Sequence, residues 1–296
     1  MTAYNFRDSN IRKTWALFVV FLLVVIGVGW VVSYIYDTPA ILYIAVVFSV
    51  VMNLVAYWKS DKIALGMSGA KEANPAHHKE IYNILENLAI TAGVPTPKLY
   101  IINDPSMNAF ATGRNPSCAV VALTTGIIQR LDRTELEGVV AHELSHIKNY
   151  DILLSTVVVV LVGFISILSD IVMRSMWIRG SDDRGKNPVM LAIGIAALIL
   201  APIAAILMQL AVSRKREFLA DASGALLTRY PQGLASALEK ISTSAPFPRA
   251  RNATAHLFIS NPFRADRTGN KKTPFFAKLF MTHPPIEERI KALREM

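Results

Sequence analysis

The stretch Asp132–Ser169, DRTELEGVVAHELSHIKNYDILLSTVVVVLVGFISILS, decides the fold. Asp132 followed three residues later by Glu135 is a capping box, which launches a helix through Thr134 to Asn149. Val139, Val140, Leu144 and Ile147 supply its buried face. From Ile152 to Ser169 there are then 18 residues without a charge, enough to cross a hydrocarbon core of about 30 Å as a helix. A charged helix that belongs in water thus feeds directly into a segment that belongs in lipid.

Three more uncharged runs lie outside this stretch: Trp15–Tyr36 (22 residues), Ala40–Trp58 (19) and Val189–Ser213 (25). The four runs hold 84 of the 296 residues, and the remaining 212 carry all 53 charges, a density normal for a globular domain. This division explains a chain that is 52% hydrophobic with a mean hydropathy of +0.36. It excludes a disordered or fibrous protein, and the single cysteine, Cys118, excludes a disulfide-stapled scaffold. The first run is too long for a signal-peptide core, and a second run follows it after only Asp37, Thr38 and Pro39. It is read as an anchor.

Positive charge sets the orientation. Arg7, Arg12 and Lys13 precede the first run, Lys59 and Lys62 follow the second, and Arg214, Lys215 and Arg216 follow the fourth, which places all three sites in the cytoplasm. The connection between runs three and four dissents, with Arg174, Arg179, Arg184 and Lys186, so these two helices either span fully or are partly embedded in the protein. The net charge of +9 follows from membrane orientation and a basic carboxy-terminal part, and nucleic acid is not needed to explain it.

The expected layout is an amino-terminal tail and hairpin over residues 1–58, a first water-soluble half over 59–151, a second hairpin over 152–213 and a second soluble half over 214–296. The two halves together suffice for one domain. Asn74 and Pro75 predict the start of a helix over residues 76–92 that Gly93 closes. Lys98–Asn103, Asn108–Thr112 and Cys118–Thr124 are β-candidates, expected to form a small antiparallel sheet. The fold class is mostly α, of the α+β type: four transmembrane helices and a cytoplasmic domain with a small sheet.

The chemistry lies in His142-Glu143-Leu144-Ser145-His146. Residues four apart stack on one helical face, so both imidazoles reach one Zn2+, while Glu143 points towards the open coordination position. Zinc lowers the pKa of the water it holds to about 7, and an adjacent carboxylate takes the proton as that water attacks a carbonyl. His77 and His78 are expected to be solvated, and His256 receives no role. The third ligand is not ten residues after His142, because Ile152 stands there. Glu217, Glu239, Glu287, Glu288, Glu295, His256 and His283 are candidates. Topology favours Glu217, since the third run leaves the membrane face just after His146 and the fourth returns the chain four residues before Glu217. In a continuous helix Arg214, Glu217, Phe218 and Asp221 share a face, so Asp221 can orient a histidine. Arg214 is expected to pair with Asp221 or with a substrate carbonyl, the structural pairing being favoured, while Glu287 and Glu288 belong to a surface helix and His283 stays unassigned.

Four segments taken together, Asn108-Ala109-Phe110-Ala111-Thr112-Gly113, Ala141 to His146, Ser213 to Asp221 and Phe280-Met281-Thr282-His283-Pro284-Pro285, resemble the HtpX family of membrane zinc metalloproteases in order and in four-span layout. The resemblance implies a zincin-like catalytic domain, one Zn2+ per chain held by His142, His146 and Glu217, and Glu143 as catalytic base. It also implies a prokaryotic plasma membrane, a cytoplasmic active site and polypeptide substrates drawn from misfolded or damaged membrane proteins. Asn108, Ala109, Phe110 and Ala111 look like the edge strand on which such proteases hold substrate, and an unpaired strand offers backbone hydrogen bonds with little sequence demand.

Three other readings compete. An intramembrane protease is disfavoured because His142 and His146 lie in a charged helix. A CAAX-type prenyl protease expects more than four spans. A non-catalytic membrane adaptor with a structural zinc would fill four protein ligands, usually cysteines, and Cys118 stands alone.

Overall fold

Two long apolar helices open the chain in the computed structural model, which describes residues 3–35, 37–178, 214–247, 254–260, 262 and 284–296. Helix α1 spans Ala3–Ile35 and α2 spans Ala40–Ser68. Both are long and apolar enough to cross a membrane, and their outer faces display Trp15, Leu23, Tyr43, Ile44 and Val47. In water such a surface would cost roughly 25 cal/mol per Å2; against lipid tails it costs nothing. Aromatic rings gather at two levels, as they do at membrane interfaces. Trp15 stacks on Tyr57 with Arg114 over the ring of Trp58, and further along α1 Trp30 stacks on Tyr34. The rise from Trp15 to Tyr34 is roughly 28 Å at about 1.5 Å per residue, the thickness of a hydrocarbon core.

Both helices continue past the lower aromatic level. Helix α2 runs ten residues beyond the expected end at Trp58, until Gly69 takes a left-handed φ of 68° and turns the chain into strand β1, Ala70–Glu72. The helix expected over 76–92 begins later: α3 spans Lys79–Ala92. The reason is local, because Asn74 Oδ1 accepts from the Ala76 N–H at 2.9 Å and closes a turn around Pro75 instead of capping a helix.

Strands β2 (Lys98–Ile102), β3 (Ala109–Thr112) and β4 (Val120–Thr124) join β1 in the order β1-β2-β4-β3. The sheet is mixed, which corrects the antiparallel expectation: β1 with β2 and β3 with β4 are antiparallel, but β2 and β4 are parallel. Central β4 is buried on both sides, so its apolar residues do not alternate with polar ones. Val121 and Leu123 face a core shared with α3 and α5, while Val120 and Ala122 face Ala64 and Leu65 of α2 and Val159 of the following long helix.

A short helix, α4 (Thr125–Arg130), leads into α5 (Arg133–Lys148). The capping box is present, with Asp132 Oδ1 and Glu135 Oε2 each accepting a backbone N–H from the other at 2.9 Å. Tyr150 takes φ 59°, and there the chain bends by 84° into α6, Asp151–Ile178. Leu154, Val157, Val158 and Leu161 of α6 are fully buried, in a cluster with Leu17, Phe18 and Phe21 of α1 and Ala56 of α2. The fourth expected run, Val189–Ser213, lies outside the described residues. Helices α7 (Arg214–Thr228) and α8 (Pro231–Ser242) pack against α5, α9 (Ile286–Arg294) packs against α7 and α8, and one apolar core draws on Ile84, Leu123, Val140, Leu238 and Leu293.

Candidate active site and metal centre

The capping box fixes the start of α5 and its helical period does the rest, bringing His142 and His146 to one face with their Nε2 atoms 3.2 Å apart. Helix α7 crosses α5 closely because Gly224 leaves no Cβ where one would sit 3.0 Å from the His142 nitrogen. Glu217, two turns earlier on α7, then lies with its carboxylate 3.6 Å from His146 Nε2 and 3.9 Å from His142 Nε2. One ligand atom from each of these three residues falls within 4.8 Å of the others, the only such grouping among the described residues.

The donor set suits a zinc ion. Tetrahedral geometry with Zn–N of about 2.0–2.1 Å puts two ligand nitrogens roughly 3.3 Å apart, against the 3.2 Å observed. Two imidazole nitrogens this close need a proton or a metal ion between them. Each ring is also held from behind: His142 Nδ1 meets Asp221 Oδ1 at 2.9 Å, and His146 Nδ1 meets Asp151 Oδ2 at 3.0 Å. These bonds direct Nε2 of both rings to a common point.

The electrostatics separate the groups. Burial pushes the Glu143 carboxyl up, with Glu217 adding to the effect, to about 7, although the Ala111 N–H donates to it. Burial alone would lower His146, but the Asp151 bond and the charges of Glu217, Asp151 and Glu143 outweigh it and push it up to about 9. His142 is lowered by burial. Asp221 would rise on burial, yet the Arg289 guanidinium and the His142 bond hold it at about 2.

Not every expected residue reaches the site. Arg214 is exposed at the start of α7, and the buried arginine of that turn is Arg216, because the inward stripe of α7 runs through Glu217, Ala220, Asp221 and Gly224. Glu287, Glu288 and Glu295 are exposed, and Glu239 pairs with Arg294 away from the histidines. His283 lies outside the described residues. Asn108 through Ala111 are buried beside the cleft, on the strand at the sheet edge. That edge is not bare: the Ile259 N–H donates to the Ala109 carbonyl at 2.9 Å, the Asn108 amide donates to the Ser260 carbonyl, and the Ala111 N–H serves Glu143. The expectation of an unpaired strand is corrected accordingly. A buried sheet edge leaves no polar backbone group idle.

Sequence reasoning missed three participants. Asp151 holds His146. Arg289, 1% exposed, grips Asp221 through two nitrogens at 2.7 and 2.8 Å, donates to the Ile259 carbonyl and lies 3.5 Å from Glu217. Its signal was present, since Ile286, Arg289, Ile290 and Leu293 recur at helical spacing and put the arginine on the apolar face. His256 lines the cleft and bonds the Ser155 carbonyl at 2.9 Å. The cleft itself opens over His142, Glu143, His146 and Glu217 and is walled by Leu257–Ile259.

The chain also matches known proteins. Residues 75–296 match peptidase family M48. The Protease HtpX homolog of Caldanaerobacter subterraneus subsp. tengcongensis is 46% identical over 304 residues, covering 100% of this chain and 98% of that protein. The Protease HtpX homolog of Streptococcus pneumoniae is 44% identical, covering 97% and 98% respectively. The crystal structure of S. mikatae Ste24p shares the fold at 21% identity with a TM-score of 0.51, over 95% of this chain and 66% of that one. Such matches, over nearly the full chain and with the apolar helices included, show that the chain belongs to peptidase family M48, among its HtpX-type membrane metalloproteases.

Proposed function

We propose that the protein is a zinc metalloendopeptidase of the prokaryotic plasma membrane whose cytoplasmic active site cleaves misfolded or damaged membrane proteins. The observation that carries this is the convergence of His142, His146 and Glu217, with both histidines held from behind by carboxylates and Glu143 buried beside them. In this scheme residues 59–151 and 214–296 form one catalytic domain, with the second hairpin between them.

When bound, zinc supplies Lewis acidity, which makes water nucleophilic near neutral pH and polarises the scissile carbonyl. Glu143 accepts the proton of the attacking water and then delivers it to the leaving amine. A carboxyl pushed up to about 7 by burial suits both tasks, because neither form is strongly favoured at working pH. Asp221 and Asp151 hold the histidine rings and keep their Nε2 lone pairs directed at the metal. Strand β3 receives the substrate in extended form, and the peptide takes over the Ala109 carbonyl that Ile259 now occupies. A cleft at the membrane boundary suits polypeptides that lie in or against the bilayer.

The test is proteolysis of an unfolded membrane protein paired with metal analysis. Glu143→Gln is expected to keep one zinc per chain and lose cleavage by at least a hundredfold. Glu217→Ala is expected to lose zinc. Cleavage by the first variant or full metal occupancy in the second would overturn the assignment.

A further inference from the structure

Helix α1 does not stop at the membrane level marked by Trp15. It extends below, and there Asn10 is buried, 2% exposed, against the metal centre. Its amide makes three polar contacts, with the end of α5, the first residue of α6 and the first turn of α7. Nδ2 donates to the Asn149 carbonyl at 3.1 Å, at the end of α5, and to Asp151 Oδ1 at 2.5 Å. Oδ1 accepts from Arg216 at 3.4 Å, the residue next to Glu217 on α7. The amide orientation is dictated by the partners, since two acceptors lie on one side and a cation on the other.

Asp151 is thus gripped at both oxygens. One serves His146 Nδ1, and the other takes the Asn10 amide, with Arg216 Nε 3.9 Å away. Without Asn10 the carboxylate loses its shortest bond and keeps only His146 and the longer Arg216 ion pair, which leaves it freer to rotate, and the ring of His146 follows it. Helix packing alone does not call for an amide here. Burying one is unfavourable unless its polar atoms are bonded, and here both the nitrogen and the oxygen are. Thr14, one turn on, donates its hydroxyl to the Asn10 carbonyl at 2.9 Å within the same helix.

We propose that Asn10 is a positioning residue for the metal centre: through Asp151 and Arg216 it sets the orientation of His146 and the placing of Glu217, so that the first membrane helix completes a site whose ligands lie more than a hundred residues away. The proposal rests on reading His142, His146 and Glu217 as a zinc site.

The experiment uses the full chain purified in detergent and measures the zinc dissociation constant by competition with a chromophoric chelator, together with the visible spectrum of the Co2+-loaded protein. Asn10→Ala is expected to weaken zinc about tenfold or more and to shift the cobalt bands. Asn53→Ala is the control, because it removes a partly buried asparagine bond, Asn53 Nδ2 to the Phe18 carbonyl at 3.2 Å, which joins α2 to α1 two turns along from Asn10 and involves none of the residues around the candidate ligands. It is expected to bind zinc as wild type does. In an Asp151→Ala background Asn10→Ala should add a smaller loss than it does in the wild type, since one of its two routes is already cut and only the Arg216 contact remains. If Asn10→Ala does not yield monodisperse protein, Asn10→Ser, too short to reach Asp151, undergoes the same measurements with the same expectation. Wild-type affinity in the Asn10 variant, an equal loss in Asn53→Ala, or full additivity with Asp151→Ala overturns the proposal. Wild-type protein that binds no stoichiometric zinc overturns the metal site itself, a distinguishable result.

Discussion

His146 and Arg289 show how single side chains set the behaviour of this site. In the metal-free chain His146 is pushed up to about 9 while burial lowers His142, so near neutral pH the pair carries one proton, on His146. Zinc must displace it. Apparent zinc affinity should therefore rise about tenfold per pH unit between about pH 6 and 8, with a slope of one proton. Competition titrations across that range test this, and a flat profile would sink it. The metal-free fold shows the opposite trend: a raised histidine pKa stabilises fully below the unfolded value, about 6.5, and the contribution is lost as pH rises through about 9. Arg289 matters differently. Removing it leaves the Asp221 carboxylate buried with only His142 as partner, and breaking a buried pair in this way costs about 3–5 kcal/mol. Arg289→Ala should accordingly lower the thermal midpoint steeply. Arg289→Lys should recover less than half of the loss, because one ammonium cannot serve both Asp221 oxygens and the Ile259 carbonyl. Equal stability of the lysine variant and wild type would show that the bidentate grip is dispensable.

At the scale of elements, the close crossing of α5 and α7 decides whether Glu217 reaches the histidines. An added methyl at Gly224 would sit 3.0 Å from the His142 nitrogen and 3.2 Å from its Cα, so α7 must back away by a few tenths of an ångström. Zinc–ligand distances tolerate only about 0.2 Å. Gly224→Ala should weaken zinc roughly tenfold while leaving the unfolding midpoint almost unchanged, because alanine's helix preference of about 1 kcal/mol offsets the crowding. A stable variant with wild-type zinc affinity would mean the crossing has slack. This also separates what was legible from what was not. The capping box and the four-residue spacing of the histidines are local, and α5 and its facing imidazoles followed from them directly. The parallel pairing of β2 with β4, the extension of α2 to Ser68 and the bonding of Ile259 to β3 depend on contacts between distant segments, which no local pattern encodes. Asp151 belonged to the same class: it reads as the last charge before an apolar run, and only the bend at Tyr150 turns it back onto His146.

At the scale of the whole molecule, the membrane helices and the metal centre form one connected body. Residues of α1, α2 and α6 share one apolar cluster, the lower end of α2 packs against the sheet, and α6 starts five residues after His146. This connection ties the candidate site to one end of the apolar helices, and we propose from the charge pattern that this end faces the cytoplasm. Arg12 and Lys13 lie just below Trp15, Lys59 and Lys62 just below Trp58, and Arg214 to Arg216 open α7, all on the side of α5. Each positive residue held on the cytoplasmic surface gains about 1 kcal/mol from anionic lipid, and translocating such clusters is disfavoured. Cys118 provides the test, because it is the chain's one cysteine and sits partly exposed beside the sheet, within reach of Arg114. A membrane-impermeant maleimide should label it in inside-out vesicles and leave it untouched in intact spheroplasts, with Cys118→Ser as the unlabelled control. Labelling from outside the intact cell would reverse the orientation, and the substrates would then have to be sought among extracytoplasmic rather than cytoplasmic segments of membrane proteins.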